Sequence, residues 1–484
     1  MAEIGQKQGK RVRHPRYGEG TVQRVERGGL SLRVLFDQYP GLAVSLPSRS
    51  LRLADDESAP LAPAREGKSR SGRGRKVEVW THDQVVRRQV LEALRLGVVP
   101  TEGLLAYTVG RDREVEEFHR ILDGAETRKA LALLGDYGTG KTHMLELAQH
   151  LALEKNWVVG RAWLDPQEAP PSKPRRVYSA LVRSLHFPDQ REAGELGLWP
   201  LLEKASQLEG LQGGLENAAG ESHAFLSPAL RYARALSEAF AEAPGDSRLV
   251  MLQMHFLDWI EGRATGLSQE LQRRLHAQLP VRDRVLALSD FSTLSKVYGY
   301  LLSGISSLCR HAGYRGLLIL LDETELFSNL SQEQRDKAVE VFRVLLAAAL
   351  PGAGEAALDL SEIGEGGRGI IRRLPPRFEE ESALAIGLAT TPGSESEFFL
   401  RDTLGKDRVL ELTSFGRREF LEMGDRILRL YLNAYPAMSK RVIAALESRM
   451  DLWFSAGQAS GPREFGRRVV DFLDQNRHIN VDFG

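Results

Sequence analysis

The 484-residue chain has a single cysteine, Cys309. One thiol excludes an internal disulfide framework and a cysteine-built zinc site, and it fits a reducing compartment. No apolar run approaches the ~20 residues that a membrane span needs. The N-terminal stretch "MAEIGQKQGKRVRHP" has no apolar segment of the kind found in secretory signals. These absences lead to the expectation of a cytoplasmic protein. Net charge is also missing, since 65 Lys and Arg balance 65 Asp and Glu. The chain as a whole therefore advertises no polyanion partner. Internal repeats are absent as well.

What is present is normal for a water-soluble globular protein, with 42% apolar and 27% charged residues. The length predicts two to four domains. Charge is uneven along the chain. Residues 1–80 carry 16 Lys and Arg against 9 Asp and Glu, so the remainder is acidic by the same margin.

Residues 10–54 read as short strands, "KRVRHP", "GTVQRVE", "LSLRVLF" and "GLAVSLP", split by Gly- and Pro-containing turns. This pattern predicts a small SH3-like barrel over residues 1–54. Residues 55–79, rich in Pro, Ser, Gly and charge, are expected to be a disordered basic linker. From residue 80 to 412 the alternation of apolar strands and amphipathic helices predicts a parallel α/β domain. The strands are "ALALL", "WVVGRAWLD", "GLLILL", "ALAIGLATT" and "RVLEL". A helical insertion is expected at about 175–310, a mobile Gly/Glu-rich stretch at about 351–369, and a helical lid over 413–484. Ahead of the first of these strands, Thr81 and Gly97 are candidate caps of one helix, and a second is expected at about Arg111–Asp123.

The chemistry centres on "LALLGDYGTGKTHMLELAQHL". Gly135, Asp136, Tyr137, Gly138, Thr139, Gly140, Lys141 and Thr142 fit G-x-x-x-x-G-K-[ST] in full, with His143 following. Glycines let the backbone wrap phosphates with its N–H groups inward. Lys141 supplies a charge for the β/γ-phosphates, the Thr142 hydroxyl can ligate Mg²⁺, and the helix points its positive end at the ligand. The setting, an apolar strand before and an amphipathic helix after, is the one in which the motif works. The expected ligands are ATP and Mg²⁺.

"LLILLDETE" is a buried strand ending in two acids. Asp322 would hold Mg²⁺ through water, and Glu323 would polarise the attacking water. That pairing favours hydrolysis over binding alone. A third strand ends in Thr390-Thr391, where Thr390 is the candidate γ-phosphate sensor. In "SGPREFGRRVV", Arg463 at a helix start is the candidate lid arginine, with Arg467 and Arg468 as competitors. Arg401 and Arg408 are candidate arginine fingers acting on a neighbouring subunit of a homo-oligomer.

Together these stretches resemble a known family. "VGRDREVEEFHRIL" is similar to the opening of the nucleotide domain in AAA+ and STAND-type ATPases. That resemblance would put Val109, Gly110 and Arg111 near the adenine. "RRQVLEALRLGVVP", "GRDREV", the phosphate-loop segment, "FLDWIEG" and "GYRGLLILLDETE" resemble the BREX-system ATP-binding proteins in order and spacing, over roughly residues 81–480. The resemblance implies an AAA+-like ATPase from a bacterial phage-defence locus, where relatives are encoded near a helicase or a DNA methyltransferase. "VRHPRYGEGTVQRV" with "LRVLFDQ" instead resembles the SH3/Tudor-like modules of CarD-type regulators, which dock on RNA polymerase, other proteins or DNA.

Two uses of the nucleotide stay open on the sequence. One is a DNA-coupled ATPase or helicase partner, with Arg11, Arg13, Arg16, Arg24, Arg27 and "KSRSGRGRK" as a basic arm for phosphates. The other is a nucleotide switch that scaffolds proteins without touching DNA, with the helical insertion as partner surface. An ORC-like loader is a third reading, against which little chain remains for a winged helix.

Overall fold

The computed structural model describes residues 10–14, 18–26, 31–36, 43–47, 52–53, 82–100, 103–124, 129–190, 196–264, 268–288, 295–325, 330–350, 374–435, 438–457 and 461–477. Two compact units are present. One comprises Met1–Val79, Asp189–Glu195 and Leu236–Met254, and the other comprises Trp80–Pro188, Leu196–Ala235 and His255–Gly484.

The first unit holds β1 (Arg11–His14), β2 (Gly18–Glu26), β3 (Ser31–Phe36), β4 (Ala43–Pro47) and β5 (Arg52–Leu53). They form an antiparallel sheet in the order β4-β3-β2-β1-β5. Val12 of β1, Val22 of β2 and Val34 of β3 are buried, one from each of three adjacent strands, with Val22 opposite Val34. The register of β2 on β3 shifts between Val22 and Arg24, a bulge that sharpens the local twist. The described pairings leave β4 and β5 as the two edges. The expected linker at 55–79 and the Gly/Glu-rich stretch at about 351–369 lie outside the described residues.

The second unit is built on β6 (Ala130–Leu134), β7 (Val158–Trp163), β8 (Leu317–Asp322), β9 (Leu384–Thr390) and β10 (Val409–Glu411). All pairings are parallel, in the order β10-β6-β9-β8-β7. Every residue of β6, β8 and β9 is buried. Strands covered on both faces read as unbroken apolar runs, which is why these segments show no alternation.

Helix α1 (His82–Leu96) precedes α2 (Asp112–Leu122), and α3 (Lys141–Glu154) follows β6. Between β7 and β8 lie α4 (Pro174–Arg183), α5 (Trp199–Ser206), α6 (Leu226–Glu242), α7 (Ser247–Ile260), α8 (Ser268–Gln278) and α9 (Ser295–His311). Helix α10 (Gln332–Ala349) leads towards β9, and α11 (Glu395–Leu404) towards β10. The chain then forms α12 (Arg417–Ala434), α13 (Lys440–Ser455) and α14 (Pro462–Asn476).

Helix α1 packs on α12 and α14, so the C-terminal bundle recruits a helix from before the sheet. Val90, Leu91 and Leu94 of α1 share one apolar core with Phe420, Ile427, Phe465 and Val469. Gly97 ends α1 in the left-handed conformation (φ 68°). The Val98 N–H returns to the Ala93 carbonyl at 2.9 Å, the glycine-terminated stop expected there. Among the described residues no helix is long and apolar enough to cross a membrane.

Candidate nucleotide site

The strand order fixes the site. β9 lies between β6, which delivers the glycine-rich loop, and β8, which delivers the acids. The C-terminal ends of three adjacent parallel strands thus converge, the position where open α/β sheets bind ligands.

Gly138 and Gly140 adopt φ 85° and 100°, values that favour glycine. Thr139 Oγ1 donates to the Asp136 carbonyl at 2.8 Å and closes the turn. Asp136 and Tyr137 lie exposed on the loop. Lys141, at the first turn of α3, donates from Nζ to the Gly135 carbonyl at 2.7 Å and to Thr391 Oγ1 at 3.2 Å. Its side chain therefore runs along the inner wall of the loop towards β9.

Thr142 Oγ1 donates to Asp322 Oδ2 at 2.9 Å. Residues 180 apart in sequence are thereby brought into direct contact. Asp322 is buried, and burial pushes its carboxyl above the usual carboxylate range. The Thr142 hydroxyl, the charge of Arg161 and the Glu323 N–H act against that rise. Two hard oxygens at this separation fit a cation that keeps several waters and takes its remaining ligands from phosphate. Thr142 and Asp322 would hold Mg²⁺.

Glu323 follows at φ 61°, the left-handed region that costs a non-glycine residue of order 1–3 kcal/mol. The Glu323 N–H donates to Asp322 Oδ1 at 3.0 Å, which holds the chain in that turn and leaves the Glu323 side chain exposed. Partial desolvation of its carboxyl by the surrounding protein, then the neighbouring Glu325 and Asp322, raise its affinity for a proton, while Lys141 opposes them. A carboxylate of raised basicity is what a water-activating group requires.

The two threonines ending β9 separate. Thr390 is buried, and its hydroxyl meets Ser394 Oγ at 3.0 Å and Ser396 Oγ at 2.7 Å. It anchors the start of α11. Thr391 is the one that reaches Lys141 and Glu325, donating to Glu325 Oε1 at 2.5 Å. Thr390 is the last residue of β9 and Thr391 the first beyond it, and of the two it is Thr391 that lies against Lys141 of the loop. The sequence places Thr390 and Thr391 together at the strand end and offers Thr390 as the candidate sensor; it assigns no role to Glu325.

Arg111 is almost wholly buried. It donates to the Thr139 carbonyl at 2.8 Å and the Thr413 carbonyl at 2.9 Å, tying the loop to the segment after β10. Val109 is buried beside it, and Gly110 turns at φ 62°. His143 is held by Thr108 Oγ1 at 2.8 Å and Tyr107 OH at 3.4 Å. Burial, with the nearby Arg111 charge, pulls its pKa down to about 4, so the imidazole is neutral at physiological pH.

A further, largely buried ion pair lies close to Asp322. Arg161 of β7 is ion-paired with Glu146 of α3 and lies over the Trp163 ring, 4.4 Å from its centroid. Its charge opposes the upward push that burial gives the Asp322 carboxyl. Nothing in the motif pattern marks Arg161, because an arginine inside an apolar strand announces burial but not its partner.

Arg463 sits in the first turn of α14, with its side chain alongside Gly97. The preceding Gly461 lies against the Gly138 carbonyl, so the segment entering α14 borders the loop. Arg467 pairs with Asp471 and Arg468 with Glu464 along the helix. Arg401 is ion-paired with Glu397 at 2.7 Å and also with Glu411. Arg408 closes the short turn before β10.

A family model for BREX system ATP-binding protein BrxC/D matches residues 83–204 and 229–482, more than half of the chain. Comparison with curated proteins gives no match. The matched span contains the phosphate loop, the acids of β8, the threonines of β9 and the C-terminal helices. On that match, and with the site geometry agreeing with it, the chain belongs to the BREX system ATP-binding protein BrxC/D family.

Proposed function

We propose that the protein hydrolyses Mg²⁺-bound ATP to switch a bacterial phage-defence assembly between two shapes. The observation that carries this reading is the 2.9 Å contact of Thr142 with Asp322, with Glu323 next in the chain at the same strand end. The fold is that of an AAA+-like P-loop ATPase. The loop N–H groups and Lys141 bind the phosphates. Mg²⁺ would supply charge neutralisation on the β- and γ-phosphates. Glu323 accepts a proton from water as the water oxygen bonds to the γ-phosphorus. The bond from that phosphorus to the β,γ-bridging oxygen breaks, leaving ADP and phosphate. Thr391 orients the γ-phosphate, and Arg463, carried on α14, reports nucleotide state to the C-terminal bundle.

DNA enters through the charge of the N-terminal region. Arg11, Arg13, Arg16, Arg24 and Arg27 belong to the strand-rich segment resembling SH3/Tudor-like modules. A partner helicase in the same defence system is the expected recipient of the switch, and Arg401 and Arg408 are the finger candidates if the protein assembles with itself. The scaffold reading needs no DNA contact. ATP hydrolysis measured with and without DNA, at low and moderate salt, separates the two. Stimulation that fades with salt supports direct DNA coupling; turnover indifferent to DNA supports the scaffold.

A further inference from the structure

Thr391 sits in a chain of three groups whose hydrogen-bond arithmetic has one consequence. Its hydroxyl accepts from Lys141 Nζ at 3.2 Å and donates to Glu325 Oε1 at 2.5 Å. A hydroxyl has a single proton to give. The other oxygen of this carboxylate, Glu325 Oε2, is buried and has no hydrogen-bond partner among the described residues. Thr391 is the hydroxyl donor to this carboxylate, which also lies within hydrogen-bond reach of the Glu323 carboxyl, and taking a donor from a largely buried acceptor exposes desolvation cost.

Lys141 is the group that faces the γ-phosphate in this fold. A γ-phosphoryl oxygen seated against Lys141 comes within reach of Thr391. Phosphate oxygens are acceptors, so Thr391 can bond one only by turning its proton away from Glu325. The β-phosphate of a diphosphate makes no such demand. Glu325 also adds a negative charge beside Glu323, next to where the γ-phosphate charge would lie.

We propose that Glu325 is a positioning residue that sets the balance between ATP and ADP, by competing with the γ-phosphate for the Thr391 hydroxyl. This rests on the nucleotide reading of the site. With ADP, the Thr391–Glu325 bond is intact. With ATP the bond is broken, and Glu325 is released as the local signal that the γ-phosphate has arrived. Glu325 thus weakens ATP binding relative to ADP and makes the triphosphate state distinguishable.

The test is equilibrium binding of fluorescent AMP-PNP and ADP, each with Mg²⁺, to the full chain and to Glu325→Ala and Thr391→Val. Glu325→Ala is expected to tighten AMP-PNP by about tenfold, the worth of one charge-assisted hydrogen bond, with ADP affinity unchanged. Thr391→Val, lacking the proton that is contested, is expected to weaken AMP-PNP while again sparing ADP. The unchanged ADP affinity reports an intact loop. An AMP-PNP/ADP ratio in Glu325→Ala equal to that of the wild type, or lower, overturns the inference and leaves the nucleotide site standing. Failure of the wild-type chain to bind either nucleotide overturns the site and the inference with it.

Discussion

His223 makes the second unit sensitive to acid. Its ring is fully buried. Nδ1 accepts the Phe225 and Leu226 N–H groups at 3.2 and 3.1 Å, capping the start of α6, and Nε2 faces the Tyr300 carbonyl at 3.4 Å. Tyr300 and Phe378 enclose it, with ring centroids 4.2 and 4.7 Å away. Burial drives the imidazole pKa from 6.5 to about 3, against the smaller upward pull of its backbone contacts. The unfolded chain takes up this proton near pH 6.5 and the folded one does not. The stability is therefore complete above pH 6.5 and is lost as the pH falls towards 3. For a gap of this size the loss between pH 7 and pH 5 is about 2 kcal/mol. The perturbation is His223→Asn, whose amide oxygen can still accept the capping N–H groups but does not titrate. Urea unfolding at pH 7, 6 and 5 should show the wild type losing about 2 kcal/mol more than the variant over that range. Parallel pH profiles for the two proteins would refute the assignment of a buried neutral imidazole.

Other expectations follow from the same geometry. Gly304 of α9 faces the His223 ring so closely that a Cβ would overlap it. Gly304→Ala should therefore destabilise by about 1–3 kcal/mol, less up to about 1 kcal/mol of helix propensity, read as a lower melting temperature. Thr142→Val should leave metal-free nucleotide binding near wild type and remove its enhancement by Mg²⁺, by titration with and without the metal; full enhancement would displace Thr142 from the metal site. Lys141→Ala should abolish ATP binding, and an unchanged affinity would remove the loop from the account. A chain lacking residues 1–79 should retain basal ATPase, and loss of turnover would make the N-terminal sheet part of the ATPase core.

Much of this was legible in the residues, for definable reasons. Parallel strands buried on both faces appear as apolar runs, and "ALALL", "LLILLD" and "LAIGLAT" are β6, β8 and β9. The chemistry sits where each run stops, so Lys141, Thr142 and Asp322 could be placed by chain position alone. Strand order could not, because a run of leucines does not name its neighbour. Only the pairing of β9 with both β6 and β8 puts its threonines between loop and acids. The choice between Thr390 and Thr391 turns on where β9 stops and which hydroxyl then reaches Lys141, a contact that an apolar run does not reveal. Glu325 was obscured by the two acids before it, since a third carboxylate reads as solvated charge until its partner is seen. The amphipathic stripe of α1 announced a buried face, but not that the face belongs to α12 and α14.

Hydrolysis at the end of β8 is tested by steady-state phosphate release from the wild type and Glu323→Gln, with saturating Mg²⁺ and ATP. Measurable turnover is expected in the wild type. The variant should lose at least about a hundredfold, the lower end of what a positioned base contributes, with ATP still bound. Wild-type turnover in Glu323→Gln would contradict the assignment of Glu323 as the base, and absence of turnover in the wild type at any ATP concentration would contradict hydrolysis itself.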